Sequence, residues 1–288
     1  MSDTATMNVS TYDDVMVDMI LGYKCNVKCD YCSVSDEMRR HKMSTAEALA
    51  ELSRARSLGI RKVAFGGGEP TIRPDLLALV RWCVERGFYD VKVSSNGLMF
   101  SYPAYAKEIV EAGVNRFHIS AKAHTPELYE KIIGVKGGLD LVLKGVDNLI
   151  ALGRVPILDL IVKNDTWEHI PDMIRFWAAR GVETFPLWLV SLSDGNAMNI
   201  ESLPKVSDIK HKLFEAFEVG RELGVTVYSR DIPRCILKGY EANVRDLTLD
   251  RVLIVTPGSR FFFWESAISP NTFTEKCEGC LYRYGECQ

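Results

Sequence analysis

Leu58-Gly59-Ile60-Arg61-Lys62-Val63-Ala64-Phe65 joins the end of an amphipathic stretch to a glycine and then to a strand-like apolar run. The same succession returns five times: at Arg86-Gly87-Phe88 before residues 90–93, Ala112-Gly113-Val114 before 116–119, Leu152-Gly153-Arg154 before 155–162, Arg180-Gly181-Val182 before 183–190, and Leu223-Gly224-Val225 leading into 225–228. Each glycine suits the left-handed residue that closes a helix, where a Cβ would be penalised. Helix starts agree. Ser44 followed by Glu47 reads as a capping box, Thr125 before Pro126 as an N-cap with proline in the first turn, and Ser207 or Asp208 as the opening of a helix that runs to Leu223. With residues 15–21 as a first strand, strand and helix alternate through about six units over 15–228. That order predicts an α/β fold with a parallel sheet and right-handed crossovers, its strands apolar because both faces are buried. An open sheet and a barrel both fit the pattern, and both place reactive groups at the carboxyl ends of the strands.

The chain has 288 residues, 47% apolar and 25% charged, which excludes a disordered, collagen-like or coiled-coil protein. Its longest apolar runs, near 15–21 and 187–192, fall far short of the roughly eighteen residues a membrane span needs. Thirty-five Lys and Arg against thirty-eight Asp and Glu leave a net charge of −3, so no global basic field draws the chain onto nucleic acid. The N-terminus carries Asp3, Asp13 and Asp14 and lacks the basic, apolar and small-residue succession of a signal peptide. A reducing cytoplasm is the expected compartment. The eight cysteines therefore read as metal ligands or buried apolar groups rather than disulfides.

Three of them fall in Gly22-Tyr23-Lys24-Cys25-Asn26-Val27-Lys28-Cys29-Asp30-Tyr31-Cys32, directly after the first strand. A structural zinc wants four ligands, usually as two pairs; here three thiols share one loop, and only a distant residue such as His41 would complete such a site. Cys-x3-Cys-x2-Cys instead wraps three corners of a cubane cluster and leaves one iron open for a substrate. Gly66-Gly67-Gly68-Glu69-Pro70 follows the second strand and Ser94-Ser95-Asn96-Gly97 the third. Glycines let backbone approach a ligand closely, and a carboxylate such as Glu69 accepts strong hydrogen bonds from an ammonium group. Taken singly, each segment reads as an ordinary turn about as readily as a ligand site. One after each successive strand, they describe a shared site at one end of the sheet.

The loop from Cys25 to Cys32, with aromatic Tyr31 before its third cysteine, resembles the signature of the radical S-adenosylmethionine (radical SAM) superfamily. The likeness in order and spacing covers about residues 15–228. It implies a partial (β/α)6 TIM-like barrel in which Cys25, Cys29 and Cys32 hold a 4Fe-4S cluster whose open iron binds S-adenosylmethionine. It also implies that Gly66, Gly67, Gly68, Glu69 and Pro70 receive the methionine amino group and that Ser94 and Asn96 lie near the ribose. Ser120, after the fourth strand, is then a ribose or carboxylate contact, and Asn164, after the fifth, a weaker match of the same kind. The implied chemistry is reductive cleavage to methionine and a 5′-deoxyadenosyl radical, which abstracts hydrogen from a substrate. An electron donor such as flavodoxin or ferredoxin comes with it.

Beyond about Tyr228 the rhythm stops, so residues 1–14 read as an extension, 15–228 as the core and 229–288 as a small separate unit. Cys235, Cys277, Cys280 and Cys287 supply four thiols there, which by spacing suit a structural zinc or an iron-sulfur cluster equally. Beside a radical SAM core the set resembles the auxiliary-cluster extensions called Twitch and SPASM. Its count permits a single four-Cys cluster, closer to Twitch. A cluster ligated at every corner has no place for substrate, so electron transfer is its expected role. The alternatives are a methyltransferase using a second SAM, and a non-catalytic iron-sulfur or zinc carrier or scaffold. Only fourteen or so residues precede the first strand, too few for a peptide-recognition domain, which favours a small molecule or a peptide delivered by another protein. Cys83 in a helical apolar stretch, His118, His169 and His211 read as structural, and Trp188 as core. Residues 261–264 read as a buried strand. Lys122 and His124, following the fourth strand, are secondary candidates for the cavity.

Overall fold

All six glycines that punctuate the repeats adopt left-handed φ, from 68° at Gly224 to 116° at Gly113. They end helices or the turns just past them, and each releases the chain into a strand. In the computed structural model, which describes residues 12–230, 232–245, 251–265 and 278, this punctuation yields seven parallel strands side by side in chain order. They are β1 (Met16–Ile20), β2 (Lys62–Gly66), β3 (Asp90–Ser95), β4 (Arg116–Ala121), β5 (Ile157–Val162), β6 (Thr184–Leu189) and β7 (Thr226–Arg230). β8 (Val252–Thr256) pairs parallel with the free side of β1, and β9 (Ser259–Phe262) pairs antiparallel with β8. The sheet is not closed into a barrel; β7 and β9 form its two edges. The stretch set apart by the loss of rhythm therefore contributes two strands to the same sheet. Residues 261–262 lie in β9, half-buried, and 263–265 form a short 3-10 turn.

Helices α1 (Thr45–Ser57), α2 (Leu76–Glu85), α3 (Pro103–Ala112), α4 (Pro126–Ile133), α5 (Gly138–Ala151), α6 (Ile170–Ala178) and α7 (Val206–Leu223) connect the strands. The capping box forms as expected: Glu47 N donates to Ser44 Oγ at 3.2 Å, and Ser44 N to Glu47 Oε2 at 2.7 Å. Thr125 caps α4, accepting from Leu128 N at 3.4 Å. α7 differs from expectation. It starts at Val206 with no side-chain cap; Ser207 bonds Asp208, and Asp208 lies in the first turn, where its charge favours the helix dipole.

The strands also depart from the expected two apolar faces. Along β3, β4 and β5 burial alternates strictly, with Val91, Val93, Phe117, Ile119, Leu158 and Leu160 turned toward the helices. The opposite set, including Asp90, Lys92, Ser94, Arg116, His118, Ser120 and Asp159, is polar and half-buried. One face of the curved sheet is thus a conventional core, in which Phe117 packs edge-on against Phe100 with centroids 5.4 Å apart. The other face is a polar hollow. Cys83 is fully buried on α2 and its thiol is pushed up to about 12 by burial, as suits an inert core residue. Among the described residues no helix is long and apolar enough to cross a membrane.

Candidate active site

The chain leaves β1 through Gly22 to Lys24 and enters the cysteine loop. This entry is locked to the segment after β2: Gly68 N donates to Gly22 O and Glu69 N to Lys24 O, both at 2.9 Å. The contact is so close that a Cβ on Gly67 would stand 2.3 Å from Gly22 O, and one on Gly68 2.3 Å from Lys24 O. Gly67 also has φ 113°, which L side chains rarely adopt. These two glycines are therefore required by the chain's own backbone, and not only by a ligand as the sequence reading supposed.

Further bonds fix the loop from its far side. Asp30 N donates to Ile132 O at 3.0 Å, Asn199 Nδ2 to Asp30 O at 3.1 Å, and buried Lys163 reaches Asp30 Oδ2 at 3.1 Å. The result turns Cys25, Cys29 and Cys32, all half-buried and none in a disulfide, onto one cavity of about 440 Å³. Tyr23, Tyr31, Arg39, Gly67, Gly68, Ser94 and Asn96 share its wall, as do Ser120 and Lys122 from the end of β4. Burial pushes the thiols of Cys25 and Cys29 up; at Cys29 the nearest opposing influence is the Lys122 ammonium.

Glu69 sits beside this wall rather than on it, lining a neighbouring cleft with Gly66 and Pro70. It is buried, and both oxygens of its carboxylate accept from the chain. Oε1 accepts from Thr71 N at 3.0 Å, Thr71 Oγ1 at 2.5 Å and Ser95 Oγ at 2.9 Å, while Oε2 accepts from Asn96 N at 2.7 Å. About four lone-pair sites are all a carboxylate has. Burial nevertheless pushes its pKa up against those donors. Glu69 thus staples the segment after β2 to the one after β3, while Oε2, with one donor, keeps an acceptor site. Asn96 is similarly committed: its side chain donates to Asn26 Oδ1 at 2.7 Å and lies 3.9 Å from Cys25 Sγ.

Asn164 is not on the cavity wall. It is exposed, and its side chain donates to the carbonyl of Glu201. His124 also faces elsewhere, 5.6 Å from the ring of His169. His41 lines a separate cleft with Lys42, Glu51 and Arg260, so it does not complete a zinc site with the three thiols. Cys235 is exposed in the turn Arg234–Leu237 after β7; Cys277, Cys280 and Cys287 lie outside the described residues.

The structure also brings in residues read as structural from sequence. His118 Nδ1 lies 3.2 Å from Asp159 Oδ2, and Trp188 Nε1 donates to Asp159 Oδ1 at 3.0 Å; all three line the same cavity as the cysteines. Arg230 stacks on Trp188 at 4.5 Å. The signal that would have found them is parity. His118 is two residues before Ser120 on β4, so it shares that residue's face. Asp159 pairs with Ser120 in the sheet register.

Three soft thiolates on one loop, shielded by a tyrosine and beside a buried cation, fit an iron-sulfur cluster better than a hard-cation site. Comparison with known proteins agrees. The model of the radical SAM superfamily matches residues 19–176, more than half of the chain. The chain belongs to the radical SAM superfamily, a family of enzymes that use S-adenosylmethionine and a 4Fe-4S cluster. Among curated relatives, a probable GTP 3',8-cyclase of Saccharolobus islandicus is 31% identical over 58% of this chain and 54% of its own length. One from Methanococcus maripaludis is 25% identical over 69% of this chain and 63% of its own. The chain thus spans little more than half the length of these relatives. In fold it is similar to Streptococcus suis SuiB bound to its precursor peptide SuiA, with TM-score 0.69 and 13% identity over 89% of this chain and 64% of that one.

Proposed function

We propose that Cys25, Cys29 and Cys32 hold a 4Fe-4S cluster with one open iron for S-adenosylmethionine, and that the enzyme abstracts hydrogen from a small molecule or a peptide. The reading rests on one observation: three thiols of a single loop and Gly67, Gly68, Ser94 and Ser120 from three further strand ends face one cavity. When bound, the cluster and S-adenosylmethionine supply one-electron cleavage of a carbon-sulfur bond and a 5′-deoxyadenosyl radical. The chain's own share is to position and to exclude water. Glu69 Oε2, which accepts only from Asn96 N, and the peptide carbonyls of Gly67 and Gly68, which no donor among the described residues reaches, are the acceptors offered to the methionine ammonium. Ser94 and Ser120 offer hydroxyls to the ribose or carboxylate. His118, Asp159 and Trp188 form the wall we assign to substrate, where the Asp159 carboxylate suits a hydroxyl or amine donor.

We assign Cys235, Cys277, Cys280 and Cys287 to a four-Cys auxiliary cluster in a Twitch-like unit within residues 229–288. It would pass electrons rather than bind substrate. Flavodoxin or ferredoxin is the class of donor proposed for the first cluster.

Anaerobic reconstitution with iron and sulfide, followed by dithionite and S-adenosylmethionine, tests the core reading. The wild-type chain should release 5′-deoxyadenosine, and Cys29→Ala and Cys32→Ala should release none. Zinc alone at the site, or equal release by the variants, defeats it.

A further inference from the structure

Lys122 presents a problem in electrostatics. Its side chain is only 4% exposed, yet among the described residues no carboxylate pairs with it. A buried ammonium without a counter-charge costs several kcal/mol. Its neighbours are neutral oxygens and a thiol: Ser120 Oγ accepts its hydrogen bond, Nζ lies 5.5 Å from the ring centroid of Tyr31, and Cys29 and Tyr129 face it. The Tyr129 hydroxyl is itself buried with no partner among the described residues. Two of these neighbours, Cys29 and Tyr31, belong to the cysteine loop, and Lys122 lines the same cavity as all three cysteines. Other cations near the loop are different in kind: buried Lys163 has the Asp30 carboxylate at 3.1 Å. Arg39 lies 4.0 Å from Cys32 Sγ but is 20% exposed and has Asp36 at 3.8 Å, so solvent and a carboxylate already screen it.

We propose that Lys122 is the built-in counter-charge of the cysteine loop, a positioning residue that raises the reduction potential of the cluster the loop holds. This rests on the assignment of that cluster to Cys25, Cys29 and Cys32. Deprotonating three cysteines creates a concentration of negative charge at one end of the hollow. A fixed cation in a poorly hydrated position offsets it, and offsets it more after an added electron than before. The same charge explains why a lysine is tolerated there.

The test uses the full chain, reconstituted anaerobically, with iron and sulfide counted per chain and the cluster titrated electrochemically under EPR detection without S-adenosylmethionine. Lys122→Met removes the charge, Lys122→Gln removes it while keeping a donor for Ser120 and Tyr31, and Lys122→Arg keeps it. Both neutral variants should be harder to reduce, with the reduced-to-oxidised ratio at fixed potential falling about tenfold, a shift of about 59 mV for one electron. Lys122→Arg should stay near wild type. If the neutral variants load no iron while Lys122→Arg does, the charge requirement stands. Unchanged potential in fully loaded Lys122→Met, or loss of loading in Lys122→Arg as well, overturns the assignment. A wild-type chain that builds no cluster overturns both this and the function proposed above.

Discussion

The two sides of the cavity are made differently. The side at the ends of β1 and β2 is backbone against backbone: Gly22 to Lys24 lie on Gly67 to Glu69 with no room for a Cβ at Gly67 or Gly68, and Glu69 accepts from chain donors on both oxygens. The side at β4 to β6 is made of side chains on strands, where His118, Asp159 and Trp188 hold one another through bonds of 3.0 to 3.2 Å. The first kind of wall fixes one geometry, because neither Gly67 nor Gly68 can gain a Cβ without moving main chain. The second can be rebuilt one side chain at a time.

The sharpest way to break the comparison is Gly68→Ala. Its Cβ has no space between Lys24 O and the Tyr23 carbonyl, so it should cost about 3 kcal/mol or more and abolish cluster loading, read as iron per chain and thermal midpoint. Normal loading would show that the interlock is not rigid. Glu69→Gln should follow, at about 1–3 kcal/mol, because an amide cannot accept from all four donors; chemical denaturation measures it. Asp159→Ala, on the side-chain wall, should leave the fold nearly as stable. It should lower substrate turnover about tenfold to a hundredfold while raising the ratio of 5′-deoxyadenosine to product. Equal loss of both would place Asp159 in the machinery of S-adenosylmethionine cleavage instead.

Away from both walls the effects should be small. Ser44→Ala should cost about 1 kcal/mol by removing the α1 cap and leave catalysis alone. Asp75 gives a pH signature. Burial pushes its carboxyl up, but hydrogen bonds from Arg73 and Thr45 outweigh that and hold it below the usual range. Its contribution is therefore present above the unfolded value, roughly pH 4, and lost as pH falls through the folded value. Asp75→Asn should flatten that acid limb in a stability-against-pH series, by under about 1 kcal/mol after solvent screening.

Much of this molecule was legible from its residues alone. Six glycines in left-handed φ after amphipathic stretches marked the strand starts, because only glycine enters that conformation without penalty. Cysteine spacing marked the loop, because three ligands within eight residues have few other uses. What the sequence could not show was which neighbour each residue would meet. Glu69 reads as a ligand contact and is in addition a staple between strand ends; Asn164 reads as a contact, and its side chain donates to the carbonyl of Glu201. His118, Asp159 and Trp188, forty-one and twenty-nine residues apart in turn, gave no local signal of the wall they form. Local conformation is set by the chain's own covalent neighbours, so it can be read in one dimension. Charge compensation, acceptor saturation and the clash of a missing Cβ depend on atoms from distant strands, and only the folded sheet brings those together.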